Sequence, residues 1–101
     1  MFVHIVFWRL HDAAPNGRTK EENARELKRR FEALDGIIPG LTRCELGADV
    51  SRTPESADVA LLTEFDSRAA LEGYQSHPLH QEIVAFLKDV RSERRVVDYE
   101  I

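Results

Sequence analysis

The side chains best suited to proton chemistry near neutral pH are the four histidines, His4, His11, His77 and His80, because an unperturbed imidazole titrates close to neutrality. His4 interrupts the otherwise apolar run Phe2 to Leu10, on the strand face it would share with Phe2, Val6 and Trp8. A buried polar ring needs a hydrogen-bond partner. His4 is therefore either a satisfied core histidine or a group turned toward a pocket. The second concentration is Tyr74-Gln75-Ser76-His77-Pro78-Leu79-His80. It is either a core tyrosine beside two junction histidines or an acid–base pair built at a helix break. His4, Tyr74 and His80 are the candidate catalytic residues, with Trp8 and His77 as candidate ligand contacts.

Other chemistries find little support. His77 and His80 are three residues apart, short of the stronger His-x-x-x-His helical pattern, and no carboxylate lies within the motif, so no metal is expected. There is no Gly-rich phosphate loop and no evident Ser-His-Asp arrangement. No cofactor is predicted. Cys44 is the lone cysteine and cannot form an intrachain disulfide. In a strand-like stretch it reads as a buried thiol, and its solitude suggests a reducing, cytoplasmic setting.

Charge narrows the partners. Eighteen acidic residues against 14 basic ones leave a formal charge of −4, which argues against nucleic acid. Arg91, Arg94 and Arg95 cluster near the end, but Glu93 and Asp98 interrupt them, and the group reads as a solvated face. No apolar run approaches the ~20 residues that cross a bilayer. The opening MFVHIVFWRL lacks the basic start and small-residue cleavage site of an export signal and reads as a strand.

The elements that must position these residues follow in order. Phe2–Leu10 is a strand with apolar residues on both faces. His11 to Arg18, with Pro15, Asn16 and Gly17, is a loop. Thr19 and Glu22 form a capping box, and Ala24, Leu27, Phe31 and Leu34 make the apolar stripe of a helix over about residues 20 to 35, stopped by Gly36. Leu41 to Leu46 is a second strand, with Thr42, Cys44 and Leu46 on its more apolar face. A loop follows, then Val59 to Phe65 as a third strand. Ser67 caps a helix to about Ser76, which Pro78 breaks; Ile83, Val84, Phe86 and Leu87 mark a short continuation. Val96 to Ile101 is the last strand.

This order predicts one α+β domain spanning 1–101: a ferredoxin-like split βαβ subunit, its antiparallel sheet covered by helices on one face. The two-sided first strand then implies that the other face is apolar too. Packing two such faces about a two-fold axis would bury it, so a homodimer through the sheet face is predicted.

His4-Ile5-Val6-Phe7, Ile38-Pro39-Gly40-Leu41, the Gly47 strand end, Asp58 to Phe65 with Ser67, and Tyr74-x-x-His77-Pro78-x-His80 occur here in an ordered set. Together they resemble the stress-responsive dimeric α/β-barrel (Dabb) domain family over essentially the whole chain. The resemblance implies a ferredoxin-like subunit and a barrel-forming dimer. Most members have no assigned reaction, but one closes a polyketide ring in an aldol-type step. Its catalytic residues match the positions of His4, Tyr74 and His80; nothing here identifies a polyketide tail pocket.

Two readings follow. In one, a cofactor-free pocket takes a small carbonyl compound, His80 acts as general base, and Tyr74 and His4 orient the substrate or stabilise an oxyanion, as in a cyclase, lyase or isomerase. In the other, the same residues form a satisfied patch in a non-catalytic, stress-related binding or structural module. An oxygenase of a related dimeric-barrel family is a third, weaker reading, with no haem-ligand pattern to support it. A cavity of roughly 300 Å³ or more touching all three residues would favour the first; solid packing would favour the second.

Overall fold

The computed structural model describes residues 1–101. Its elements are β1 (Phe2–Leu10), α1 (Lys20–Glu32), β2 (Leu41–Ala48), β3 (Val59–Phe65), α2 (Arg68–Ser76), α3 (Pro78–Val90) and β4 (Arg91–Glu100). The strands form one antiparallel sheet in the order β2-β3-β1-β4. This is the ferredoxin-like α+β arrangement, with β1 at the centre because its two apolar faces suit a strand covered from both sides.

Rows across the sheet define the two faces. Leu61, Val6 and Val96 face the helices in one row, Thr63, His4 and Asp98 in the next, and Val59, Trp8 and Arg94 in a third. The core lies between this face and the helices, around Leu27, Phe31, Leu61, Phe65, Tyr74 and Val90, all essentially buried. The opposite face carries Leu62, Ile5 and Val97, then Ala60 and Phe7, then Val3 and Tyr99. Phe7, Val97 and Tyr99 on it are each 41% exposed or more.

Thr19 opens α1 with a complete capping box: its hydroxyl accepts from Glu22 N–H, and the Glu22 carboxylate accepts from Thr19 N–H. The helix ends at Glu32 rather than residue 35. The amides of Leu34 and Asp35 bond back to Phe31 and Glu32, a tightening to 3₁₀-like turns that is common at helix ends. Gly40 then closes the Ile38-Pro39-Gly40 turn. Its φ is +80°, and a Cβ there would lie 2.4 Å from Ala70 Cβ, so both conformation and space demand glycine.

Three further boundaries differ from the sequence reading. Thr42 lies off the buried face, because the β2–β3 register shifts between Leu41 and Arg43 and leaves its hydroxyl donating to the Glu64 carbonyl. Pro78 starts a helix rather than only breaking one. It sits at the first position of α3, where a missing amide costs nothing and the fixed φ suits the helix. The last strand starts at Arg91, directly after α3, five residues before Val96. Its arginines and glutamate have little strand preference of their own, but the full length of β1 supplies a ladder for them.

Candidate functional site

Under α2 and α3, the helix-facing side of β1 encloses a cavity of about 260 Å³ that His4, Trp8, Tyr74, His80, Arg91 and Arg94 line together with apolar side chains. Residues separated by seventy positions thus share one space. The volume is slightly below the roughly 300 Å³ at which small-molecule pockets usually begin, yet it is not solid packing.

Each polar group is held from a different element. His4 is buried on the central strand. Its Nδ1 lies 2.5 Å from Asp98 Oδ1, on the neighbouring strand directly opposite. A carboxylate can only accept, so Nδ1 carries a proton in this contact. Thr63 fixes the same strand position from the other side, its hydroxyl donating to the His4 carbonyl at 2.7 Å.

Tyr74 lies on the inward face of α2, fully buried, between the two imidazoles. Its ring centroid is 6.1 Å from that of His4, edge-on, and 4.3 Å from that of His80. The hydroxyl has no hydrogen-bond partner within the chain, and neither has the buried Trp8 Nε1, whose ring stacks on Phe31 at 5.6 Å. Burial also pushes the Tyr74 phenol far above its ordinary range, so it remains a proton donor.

His80 lies one turn into α3. Its Nδ1 is 3.1 Å from the Gln75 carbonyl, which likewise can only accept. The neutral ring therefore has its lone pair on Nε2. Burial lowers the pKa of His80, partly offset by the Gln75 bond and reinforced by His4, Arg94 and His77. The ring is poised as a neutral base.

His77 stands apart from the cavity. Its Nδ1 accepts from Leu79 N–H and caps α3, so the structure gives the ring a helix-starting role in place of the ligand contact that the motif suggested. No group of three or more His, Cys, Asp or Glu side chains is arranged to hold a metal ion. A broader groove of about 810 Å³ runs between the start of α1 and the β2–β3 loop, but contains none of the four histidines; there Lys20 is paired with Asp12 and Asp58.

The model of the stress-responsive A/B barrel domain family, Dabb, matches residues 2–101. The chain belongs to the Dabb family. This Dabb chain is 31% identical over 100 residues to an uncharacterised protein of Streptomyces coelicolor, covering 99% of each. Among solved structures it is similar to a dimeric ferredoxin-like protein of unknown function from Bacteroides fragilis, at 30% identity and a TM-score of 0.83, covering 99% of this chain and 95% of that one. It shares its fold with a hydroxynitrile lyase from Passiflora edulis, at 18% identity and a TM-score of 0.80, covering 99% of this chain and 92% of the other.

Sequence reasoning missed three charged residues at the cavity and its border. Asp98, Arg91 and Arg94 read as parts of a solvated charge cluster, whereas the β1–β4 pairing sets Asp98 against His4 and Arg94 against Trp8. The signal was available only in the strand's alternation: Arg94, Val96 and Asp98 share one face.

Proposed function

We propose that this Dabb domain binds a small carbonyl compound in the cavity beneath α2 and α3 and moves a proton on it without a cofactor, as one half of a homodimer. What carries the reading is a pair of buried donors with no partner in the chain, Tyr74 hydroxyl and Trp8 Nε1, on two of the residues that line the cavity. A buried donor left unpaired costs about 1–3 kcal/mol. A ligand oxygen that reached either donor would satisfy it.

The chemistry follows from the proton positions. His80 Nε2 takes a proton from a carbon beside the carbonyl. The electron pair of that C–H bond moves into a carbon–carbon double bond, and the carbonyl electrons move to oxygen. Tyr74 and Trp8 donate hydrogen bonds to the resulting enolate oxygen. His80 Nε2–H then returns that proton to the substrate, at the original carbon or at the enolate's other end, while His4, oriented by Asp98, holds the substrate. The fold is shared with a lyase, so the scaffold is compatible with chemistry of this kind.

The dimer is supported by the open sheet face, where Ile5, Phe7, Val97 and Tyr99 form an apolar patch, and by the dimeric state of a similar protein. A reducing, cytoplasmic setting is supported by Cys44. Its thiol donates to the Phe31 carbonyl, and burial, with Asp35 and Glu32 nearby, pushes its pKa up to about 12. It therefore stays protonated and inert.

The test is hydrogen exchange in deuterated water. Small ketones and oxo acids are incubated with the protein, and loss of the proton beside the carbonyl is followed by NMR. The protein should accelerate exchange, and His80→Ala should abolish the acceleration while circular dichroism stays unchanged. Exchange at the buffer rate across the panel, or undiminished in His80→Ala, would sink the reading.

A further inference from the structure

The distribution of charge on β4 points to the class of compound the cavity takes. Arg91, Glu93, Arg94 and Arg95 fall close together on this strand. In an unbroken strand, Arg91, Glu93 and Arg95 would share one face and Arg94 would occupy the other. The register does not allow it. Arg9 faces Glu93 but Leu10 faces Arg91, so Ser92 is an extra residue and β4 bulges there. A bulge re-aims the side chains that precede it. Arg91 is thereby turned to the helix-covered face, alongside Arg94, and both line the cavity.

Glu93 stays on the open face, where Arg9 at 3.2 Å and Arg95 at 2.9 Å pair with it. Acid and base are thus sorted by face. The two arginines left on the cavity side make no ion pair, although most arginines of the chain do. Arg91 is also the residue that ends α3, and a cation at a helix C-terminus has a structural use. That use does not extend to Arg94.

We infer that Arg91 and Arg94 bind the carboxylate of the substrate, which makes the ligand a small oxo acid; this rests on the pocket reading above. Guanidinium forks match carboxylate oxygens in pairs. Phosphate oxygens match them too, but the helix end presented here is the C-terminus of α3, whose carbonyls disfavour a second negative charge. A volume of about 260 Å³ suits a short-chain acid, with Val84 and Leu87 against its hydrocarbon part and the Tyr74–Trp8 donors at its carbonyl.

The experiment compares short-chain oxo acids, levulinate first, with their methyl esters, following the ring protons of His4 and His80 by NMR titration. The acid should bind at least about tenfold more tightly than the ester. Arg94→Gln and Arg91→Gln should each erase most of that preference, Arg94→Lys should retain part of it, and Arg95→Gln, one residue along but on the open face, should leave it unchanged. Esters that bind as tightly as acids while shifting the histidines would overturn the arginine assignment alone. Displacement of levulinate by equimolar inorganic phosphate would overturn the choice of carboxylate. If neither acids nor esters move the histidine signals, the pocket reading fails and takes this inference with it.

Discussion

His4 Nδ1 and Asp98 Oδ1 lie 2.5 Å apart across the β1–β4 ladder, the histidine side chain 3% exposed and the aspartate side chain 43% exposed. The carboxylate remains in touch with water while it orients a ring that is not. Asp98→Asn keeps the shape but can offer an N–H instead of an acceptor, and so can select the other tautomer of His4. The expected result is a ten- to hundredfold loss, on the order of 1.5–3 kcal/mol, in ligand affinity or proton exchange, with the fold unchanged. Titration and exchange by NMR measure it; a variant as active as the parent removes Asp98 from the mechanism.

Tyr74→Phe should raise stability and lower function together. The substitution deletes a buried hydroxyl with no partner in the chain and keeps the ring packed on Phe65 at 5.1 Å. Removing an unsatisfied donor of this kind is worth about 1–3 kcal/mol. Chemical denaturation would show the gain and hydrogen exchange the loss. A destabilised variant would mean that the hydroxyl is already satisfied in the folded protein.

His80 supplies a pH dependence with a definite sign. Its pKa is lowered in the folded chain, mainly by burial. The unfolded chain binds the proton more readily, so this contribution to stability is complete above the ordinary value near 6.5 and is lost as pH falls below it toward the folded value. Any proton abstraction should likewise persist below pH 6.5 before it declines. NMR titration of the His80 ring reads the value directly, and a midpoint above 6.5 would contradict the burial argument.

Ile5→Asp should separate the subunits without unfolding them. Ile5 sits at the centre of the open face, between Leu62 and Val97. A charge buried there without a partner costs about 3–5 kcal/mol. Light scattering should find twice the chain mass for the parent and a large monomer fraction for the variant. A parent that is monomeric at micromolar concentration would end the dimer proposal.

The fold was legible because its strongest signals are local and redundant. The Thr19–Glu22 capping box, the Leu27–Phe31 stripe and the mixed apolar faces of Phe2–Leu10 each point to one element, and all three are present. His4 stood out because it is polar within an apolar run, and Tyr74 with His80 because of the motif they share. The start of β4 was not legible. Arg91 to Arg95 is held in strand form by pairing with β1, a contact made far away in sequence. Arg94 was lost with it, and Asp98, inside the expected strand, was read with the charge cluster because the residue it faces depends on register. The Ser92 bulge made this harder still, because it breaks the alternation from which a face would be inferred. His77 misled in the opposite sense: its motif neighbours suggested a binding role, while the peptide geometry around Pro78 uses its ring as a cap.

No residue intervenes between the end of α3 at Val90 and the start of β4 at Arg91. His80 near one end of this helix and Arg91 just beyond the other are therefore mounted on a single stiff rod, about 20 Å long at 1.5 Å per residue. The bulge at Ser92, directly after this joint, already takes up one extra residue. A change in chain length there would rotate the helix and reverse the facing of the strand in one stroke. Reshaping the chamber for a larger or smaller guest is consequently a matter of trimming Val84 and Leu87 on the rod, while the long β2–β3 connection, none of whose residues lines the chamber, is where the chain can grow at little expense.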